Sequence, residues 1–122
     1  MEIYGRDYRF RLTVGAACDI AAHCPGGELG KFRELLLGDV QHATEGRAAF
    51  LCALSRGEEE ARAFEEPGYR PQPLSPELLR TLDMATFNQL LAEASEAFLA
   101  GLQTAVPVKA KKNGADSDSA AP

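Results

Sequence analysis

The chain has 122 residues, a formal net charge of −5 and 45% hydrophobic residues. A chain of this size has room for one small domain with a modest core, and it leaves little material for a buried catalytic cleft. The acidic excess, about −6, lies in residues 1–103, because residues 104–122 carry three lysines against two aspartates. Phosphate binding depends on clustered Lys and Arg, so this charge argues against nucleic acid as a partner.

Hydropathy and cysteine usage narrow the class of protein further. No run approaches the roughly 20 apolar residues that cross a membrane, and the first residues lack the basic-then-apolar order of a secretory signal. We therefore expect a cytosolic protein that makes no contact with a membrane. The three cysteines, Cys18, Cys24 and Cys52, are odd in number and have apolar neighbours, which favours reduced, buried thiols over a disulfide framework.

The first 24 residues change their hydrophobic period. Two runs, Glu2 to Tyr4 and Asp7 to Thr13, flank the pair Gly5-Arg6, and large apolar residues alternate with polar ones from position 8 to position 12. This alternation predicts a β-hairpin over residues 1–13. Thr13 can then cap a helix that begins at Val14 and ends by Cys24, because a proline and two glycines follow.

The middle of the chain has the apolar spacing of amphipathic helices. One is predicted over Glu28 to Leu37 and a second over Thr44 to Ser55, with Gly38 and Gly57 as their ends. A charged helical turn or two follows, so residues 14–65 are predicted to be helical. We interpret the glutamates at 58–60 and 65–66 as a solvated helix face rather than a site for a cation.

The C-terminal part is divided by prolines. Those at 67, 71, 73 and 76 exclude regular helix and predict a loop over residues 66–74. Ser75 before Pro76 is a strong helix start and Asp83 is a second N-cap, so residues 75–103 are predicted to form the C-terminal helices. The longest helix has one apolar stripe, formed by Phe87, Leu90, Leu91, Ala94, Phe98 and Leu102.

These elements define the predicted fold class, which is α+β and mostly α. An N-terminal β-hairpin precedes about five short helices in a single small domain, residues 1–103. Residues 104–122 contain few large side chains and cannot bury enough surface to offset the entropy of ordering them. We predict that they form a disordered C-terminal tail.

Candidate chemistry is sparse. Five side chains could bind a soft metal (Cys18, His23, Cys24, His42 and Cys52), but no pair has the spacing typical of structural zinc. Buried thiols and surface imidazoles explain them better. A nucleophilic pair of Cys24 and His42 is a weaker alternative, because neither residue lies in a catalytic motif. Residues 25–32 lack the spacing and hydroxyl of a phosphate-binding loop. We expect no enzyme activity, no cofactor and no metal.

Apolar helix faces are the remaining candidates for function. Leu37, Leu51 and Leu99 lie off the main stripes, so an exposed groove for a partner helix is one interpretation of the surplus. The candidate partner-binding residues are Phe87, Leu91 and Phe98 of the late helix. The same three side chains could equally form the core.

Two stretches resemble the small acidic tail assembly chaperones of long-tailed bacteriophages and prophages. They are the hairpin and helix start, Gly5 to Ala17, and the paired C-terminal helices, Leu74 to Leu102. The resemblance implies a non-enzymatic protein of the host bacterial cytoplasm that is absent from the finished virion. It would bind the tape measure protein, keep it soluble during tail tube assembly, and have the major tail tube protein as a further candidate partner. Weak or variable self-association is compatible with this role.

The resemblance also raises a hypothesis about residues Lys111-Lys112-Asn113. Members of this family are often made in two forms through a programmed ribosomal frameshift, and this tripeptide can be encoded with the slippery sequence A AAA AAC. A solvated, lysine-bearing tail is the simpler explanation. Codons AAG at 111 or 112, or no overlapping frame downstream, would remove the hypothesis.

Two other classes of function stay open from the sequence. A structural head-tail connector or tail completion protein would also be small and helical, but it would form a closed ring. A small metal- or thiol-dependent protein is the third and weakest interpretation. Light scattering distinguishes a closed ring from a chaperone. Insensitivity to chelators would exclude the metal-dependent protein.

Overall fold

The computed structural model describes the backbone of residues 1–110 and the side chains of residues 1–103. The chain begins with strand β1 (Glu2–Ile3), which pairs antiparallel with β2 (Arg6–Asp7). The turn between them is Tyr4-Gly5, at φ values of 50° and 79°, one position earlier than the predicted Gly5-Arg6. Positive φ at both central residues is the geometry of tight hairpin turns, and glycine adopts it readily.

The second predicted strand is wrong beyond Asp7. The Tyr8 amide still donates to the Met1 carbonyl at 2.9 Å, but residues 9–13 have no strand opposite them and pack on the helices instead. The Arg11 amide donates to the Leu54 carbonyl at 3.1 Å. The predicted alternation is nevertheless visible, since Tyr8 is buried and Phe10 and Leu12 pack against the core.

Helix α1 (Val14–His23) has the predicted bounds. The Thr13 hydroxyl accepts a hydrogen bond from the Ala16 amide at 3.1 Å, which confirms the predicted cap. The region predicted as one helix from Glu28 to Leu37 is irregular. It consists of a 3-10 turn at Leu29–Lys31 and a single α-helical turn, α2 (Phe32–Leu35), and another 3-10 turn, Pro25–Gly27, precedes it.

Helix α3 (Val40–Glu65) is twice as long as predicted, and the predicted stop at Gly57 is wrong. The Asp39 carboxylate caps it by accepting from the His42 amide at 2.9 Å. Gly57 is buried within the helix, and a side chain there would overlap the Arg11 carbonyl oxygen and lie 3.0 Å from the Thr13 hydroxyl. Glycine occurs at this position because the segment after the hairpin crosses α3 at close range, not because the helix ends.

Two capped helices follow the proline-rich loop. Ser75 accepts from the Leu78 amide at 3.2 Å and begins α4 (Pro76–Leu79), and Asp83 accepts from the Thr86 amide at 2.8 Å and begins α5 (Met84–Ala110). Both predicted caps are confirmed. Helix α5 runs past the predicted end at residue 103. The remainder of the predicted tail, residues 111–122 with the candidate frameshift tripeptide, lies outside the described residues.

The hydrophobic core lies between α1, α3 and α5. Phe98 of α5 is fully buried, with its ring 5.2 Å from that of Phe50 and 4.6 Å from that of Phe32. The completely buried side chains also include Leu54 and Leu90. The molecule is therefore mostly helical with a short N-terminal hairpin, and the predicted fold class is confirmed.

Candidate functional site: a groove along helix α3

A mostly apolar depression of the described structure runs along one face of α3. Its floor is formed by small side chains, chiefly Ala48, Ala49 and Ala53. Residues three or four apart lie on the same side of a helix, so these alanines share one face of α3 with Glu45, Cys52 and Arg56. We call the depression above these residues, together with its two walls, the α3 groove.

The groove has a helical wall and a loop wall. Helix α1 contributes Asp19, Ala22 and His23 on one side, and residues 73–76 of the proline-rich loop form the other. This part has a volume of about 560 Å³ and a mostly apolar lining. At one end the Arg56 guanidinium and the Asp19 carboxylate form an ion pair that joins α3 to α1.

A second pocket extends the groove beyond Pro76. It has a volume of about 300 Å³, and it is lined by Leu79, Met84 and Phe87. Glu45, Ala48 and Pro76 border both pockets, so the two lie side by side along α3. Met84 is 63% exposed, which is unusual for so apolar a side chain and places a flexible thioether at the groove edge.

The loop wall is fastened to α3 by two buried polar side chains. Ser55 is fully buried, and its hydroxyl accepts a hydrogen bond from the Leu74 amide at 2.9 Å. This bond satisfies a backbone donor that the loop would otherwise bury without a partner. It fixes the position of the wall directly beside the groove.

Glu59 is the second fastening. Its Oε1 atom accepts from Arg6 Nη2 at 2.8 Å, from the Tyr69 hydroxyl at 2.7 Å and from the Gln72 amide at 2.9 Å. We call this set the Glu59 clasp, because it joins the hairpin, α3 and the proline-rich loop. The prediction that the glutamates at 58–60 and 65–66 form a solvated face is wrong for Glu59, which is buried, whereas Glu60, Glu65 and Glu66 are exposed as predicted.

Hydrogen bonding keeps the buried carboxylate charged. Burial alone would raise the pKa of Glu59, but the bonds from Tyr69, Gln72 and Arg6 together hold that pKa below its ordinary value. The neighbouring Glu58 and Glu65 both pair with Arg11, at 2.9 and 3.1 Å. The acidic end of α3 therefore anchors the segment after the hairpin.

The three predicted partner-binding residues are not gathered at one surface. Phe98 is fully buried and Phe87 is 5% exposed, while Leu91 is partly buried against the core. Of the three, Phe87 also lines the groove. Their burial favours the core interpretation for Phe98 and Leu91, and a role in binding stays a prediction.

The candidate metal ligands are dispersed. Among the residues with described side chains, no three His, Cys, Asp or Glu come together as metal ligands would. The three cysteines are free; Cys24 and Cys52 are buried as predicted, whereas Cys18 is exposed, so the prediction for Cys18 is wrong. It lies on the outer face of α1.

The chemistry of the thiols and imidazoles does not favour nucleophilic catalysis. Burial raises the pKa of Cys52 to about 11 and also raises that of Cys24, so both thiols stay protonated. His42 is 74% exposed and its Nδ1 lies 2.7 Å from the Asp39 carboxylate, within the cap of α3. The predicted alternative of a Cys24 and His42 pair has no support in these positions.

Sequence reasoning allowed for an exposed groove but did not locate it on α3, and it missed the clasp. The signal for the groove was the cluster of alanines at 48, 49 and 53, which lies within a helix otherwise assigned to the core. The signal for the clasp was weaker, because nothing in the run of three glutamates at 58–60 indicates that the middle one is buried.

In the part of the chain that the structure describes, no helix is both long and apolar enough to span a membrane. Comparison of the chain with protein-family models, with curated proteins and with solved structures gave no match.

Proposed function

We propose that the protein is a phage tail assembly chaperone, which binds the tape measure protein in the cytoplasm of the host bacterium and keeps it soluble while the tail tube assembles. The observation that carries the proposal is the α3 groove, an open apolar depression with a floor of alanines. The resemblance of Gly5 to Ala17 and of Leu74 to Leu102 to such chaperones supplies the identity of the client.

The dimensions of the groove suit a helical client. It follows α3 from Thr44 to Arg56, which corresponds to about 18 Å of helix, or between three and four turns. Small side chains on the floor let the backbone of a second helix approach closely. Recognition of an amphipathic helix by an apolar groove is a general mode of binding, and it needs no cofactor.

The charge of the chain suits a solubilising role. A net charge of −5 keeps the protein and anything bound to it apart from other acidic molecules in solution. A long client with many apolar helical segments would bind several copies, each of which covers one segment. Client surface that would otherwise self-associate is thereby hidden, and the complex acquires the charge of every bound copy.

The test is co-expression with the tape measure protein encoded downstream. We expect the soluble fraction of that protein to rise several-fold when this chain is present, and the two to co-elute in size-exclusion chromatography. An unchanged soluble fraction would overturn the proposal. Light scattering on the free chain adds a second criterion, because a closed ring of fixed size would instead favour a structural virion component.

A further inference from the structure

Two strongly exposed hydrophobic side chains lie at the start of α3, the end of the helix that borders the second pocket. Val40, the first residue of α3, is 84% exposed, and Leu37 just before it in the chain is 65% exposed. Thr44 lies one helical turn after Val40 on the same side of α3, and it lines the pocket together with the exposed Met84. Projecting apolar side chains therefore stand beside an apolar depression. We call the second pocket together with Leu37 and Val40 the Val40 patch.

The charged side chains of the pocket lining are one acid and one base. Glu45 and Arg80 are both exposed, and neither forms an ion pair with a residue that the structure describes. Their charges cancel, so this lining is neutral although the chain as a whole carries −5. Copies of an acidic protein repel one another, and a neutral apolar surface is where that repulsion is smallest.

These features make the Val40 patch complementary to itself. When two copies associate about a twofold axis, a residue i of one copy meets a residue j of the other, and j of the first meets i of the second. A surface that has an apolar projection, an apolar depression and both signs of charge can match all of them in that arrangement. A different protein would have to supply each matching feature independently.

The chain's own C-terminal residues are a poorer occupant of the pocket. Residues 111–122 read KKNGADSDSAAP, with no apolar side chain larger than alanine apart from proline and the lysine stems. Such a segment would cover an apolar lining with polar groups that lose their contact with water.

We propose that the Val40 patch is the contact surface of a symmetric dimer of this chain. Val40 of each copy covers the second pocket of the other, and Glu45 of each copy pairs with Arg80 of the other. These ion pairs are exposed to water and add modestly to affinity, so the apolar contacts supply most of it. A patch of a few side chains is small for an interface, so we expect a weak dimer that dissociates on dilution.

The proposal goes beyond the proposed function, because it concerns the free chain and needs no client. The second pocket extends the α3 groove, so a second copy and a client helix would exclude each other there. The dimer thereby hides apolar surface while no client is bound. Co-expression with the tape measure protein decides the chaperone role, whereas the mass of the free chain decides the dimer.

The first test is the mass of the free chain by sedimentation velocity over a series of concentrations. We expect the mass to rise with concentration from 13.1 kDa towards twice that value. Val40→Glu places a charge in the contact and should weaken the association about tenfold. Val14→Glu is the matched control that should leave the association unchanged, because Val14 is also 84% exposed, also begins a helix and lies outside the patch. A monomer at every concentration, or equal effects of the two variants, would overturn the proposal.

A mixing experiment tests whether the charges pair between copies. Glu45→Arg and Arg80→Glu each place like charges opposite one another in a symmetric dimer, so each variant alone should associate about tenfold more weakly. In an equal mixture the two variants have opposite charges at both contacts, so a mixed dimer should form with the native affinity. A charge that acted only within its own copy could not be rescued by mixing. If the mixture associates as weakly as the separate variants, the pairing between copies is wrong. Circular dichroism checks that every variant is folded.

Discussion

Helix α3 has two faces that are built in opposite ways. On the side of the hairpin and the proline-rich loop, Ser55 and Glu59 are buried and their oxygens accept hydrogen bonds from residues distant in sequence. On the groove side, the lining includes the small side chains of Ala48, Ala49 and Ala53, of which Ala48 and Ala49 are partly exposed. One face is closed by specific polar contacts, and the other is left open by the absence of large side chains.

The difference indicates how a small domain can combine stability with binding. Buried polar groups that lose a partner are costly, so the closed face should be sensitive to substitution. The side chains of the open face make no such buried hydrogen bonds, so substitutions there should affect binding more than stability. Substitutions on the two faces of the same helix can therefore test this division.

The largest effect is expected from Glu59→Ala. The change removes the acceptor of three hydrogen bonds and leaves the Arg6 guanidinium and the Tyr69 hydroxyl without it. We expect the free energy of unfolding, measured by urea titration, to fall by about 3 kcal/mol. The adjacent Glu60→Ala is the control, because Glu60 is exposed, and it should change stability by less than about 0.5 kcal/mol. Equal effects would contradict the clasp.

Gly57→Ala should cause the second-largest loss of stability. The added methyl group would overlap the Arg11 carbonyl oxygen and force the segment after the hairpin away from α3. Overpacking of this kind costs about 2 kcal/mol, even though alanine favours helix more than glycine does. Gly30→Ala is the matched change, since a methyl group there meets no atom within 4 Å. If thermal melting ranks the two variants in the reverse order, the close approach at Gly57 is wrong.

Ser55→Ala should have a smaller effect of the same kind. It leaves the buried Leu74 amide without its acceptor, and we expect a loss of about 1.5 kcal/mol in the free energy of unfolding. Limited proteolysis adds a local readout, because the loop wall of the groove should be cleaved faster. Ser75→Ala removes a helix cap nearby and should not accelerate cleavage before Leu74.

The smallest effect concerns pH. The pKa of Glu59 is lower in the folded state than its ordinary value of 4.5, so the folded state favours the charged form. The resulting stability is present above about pH 4.5 and is lost as pH falls through the folded pKa. Glu59→Gln should therefore lose less stability than the native chain between pH 6 and pH 3. A parallel loss in both proteins, measured by urea titration, would show that Glu59 does not contribute.

Local chemistry explains what the sequence predicted correctly. Thr13, Ser75 and Asp83 each cap a helix through a hydrogen bond to a residue three positions away, so a short window of sequence contains all the information. The same holds for the loop of residues 66–74, where proline excludes helix whatever surrounds it. The prediction of mostly helical structure rests on such signals.

Tertiary contacts explain what could not be predicted. Gly57 has the local signature of a helix end, but its role depends on Arg11, which lies 46 positions earlier in the chain. Glu59 is chemically identical to its neighbours until the fold brings Arg6 and Tyr69 to it. The groove likewise exists only because α1 and the proline-rich loop stand on either side of three alanines.

The central claim is that the α3 groove binds the client, and the most direct measurement is co-expression of the tape measure protein with a blocked groove. Ala49→Trp fills the floor of the groove, whereas Ala92→Trp places the same side chain on the exposed face of α5. Circular dichroism establishes that both variants are folded. We predict that the tape measure protein is soluble with the native chain and with Ala92→Trp, and insoluble with Ala49→Trp. Equal solubility with both variants would contradict the claim.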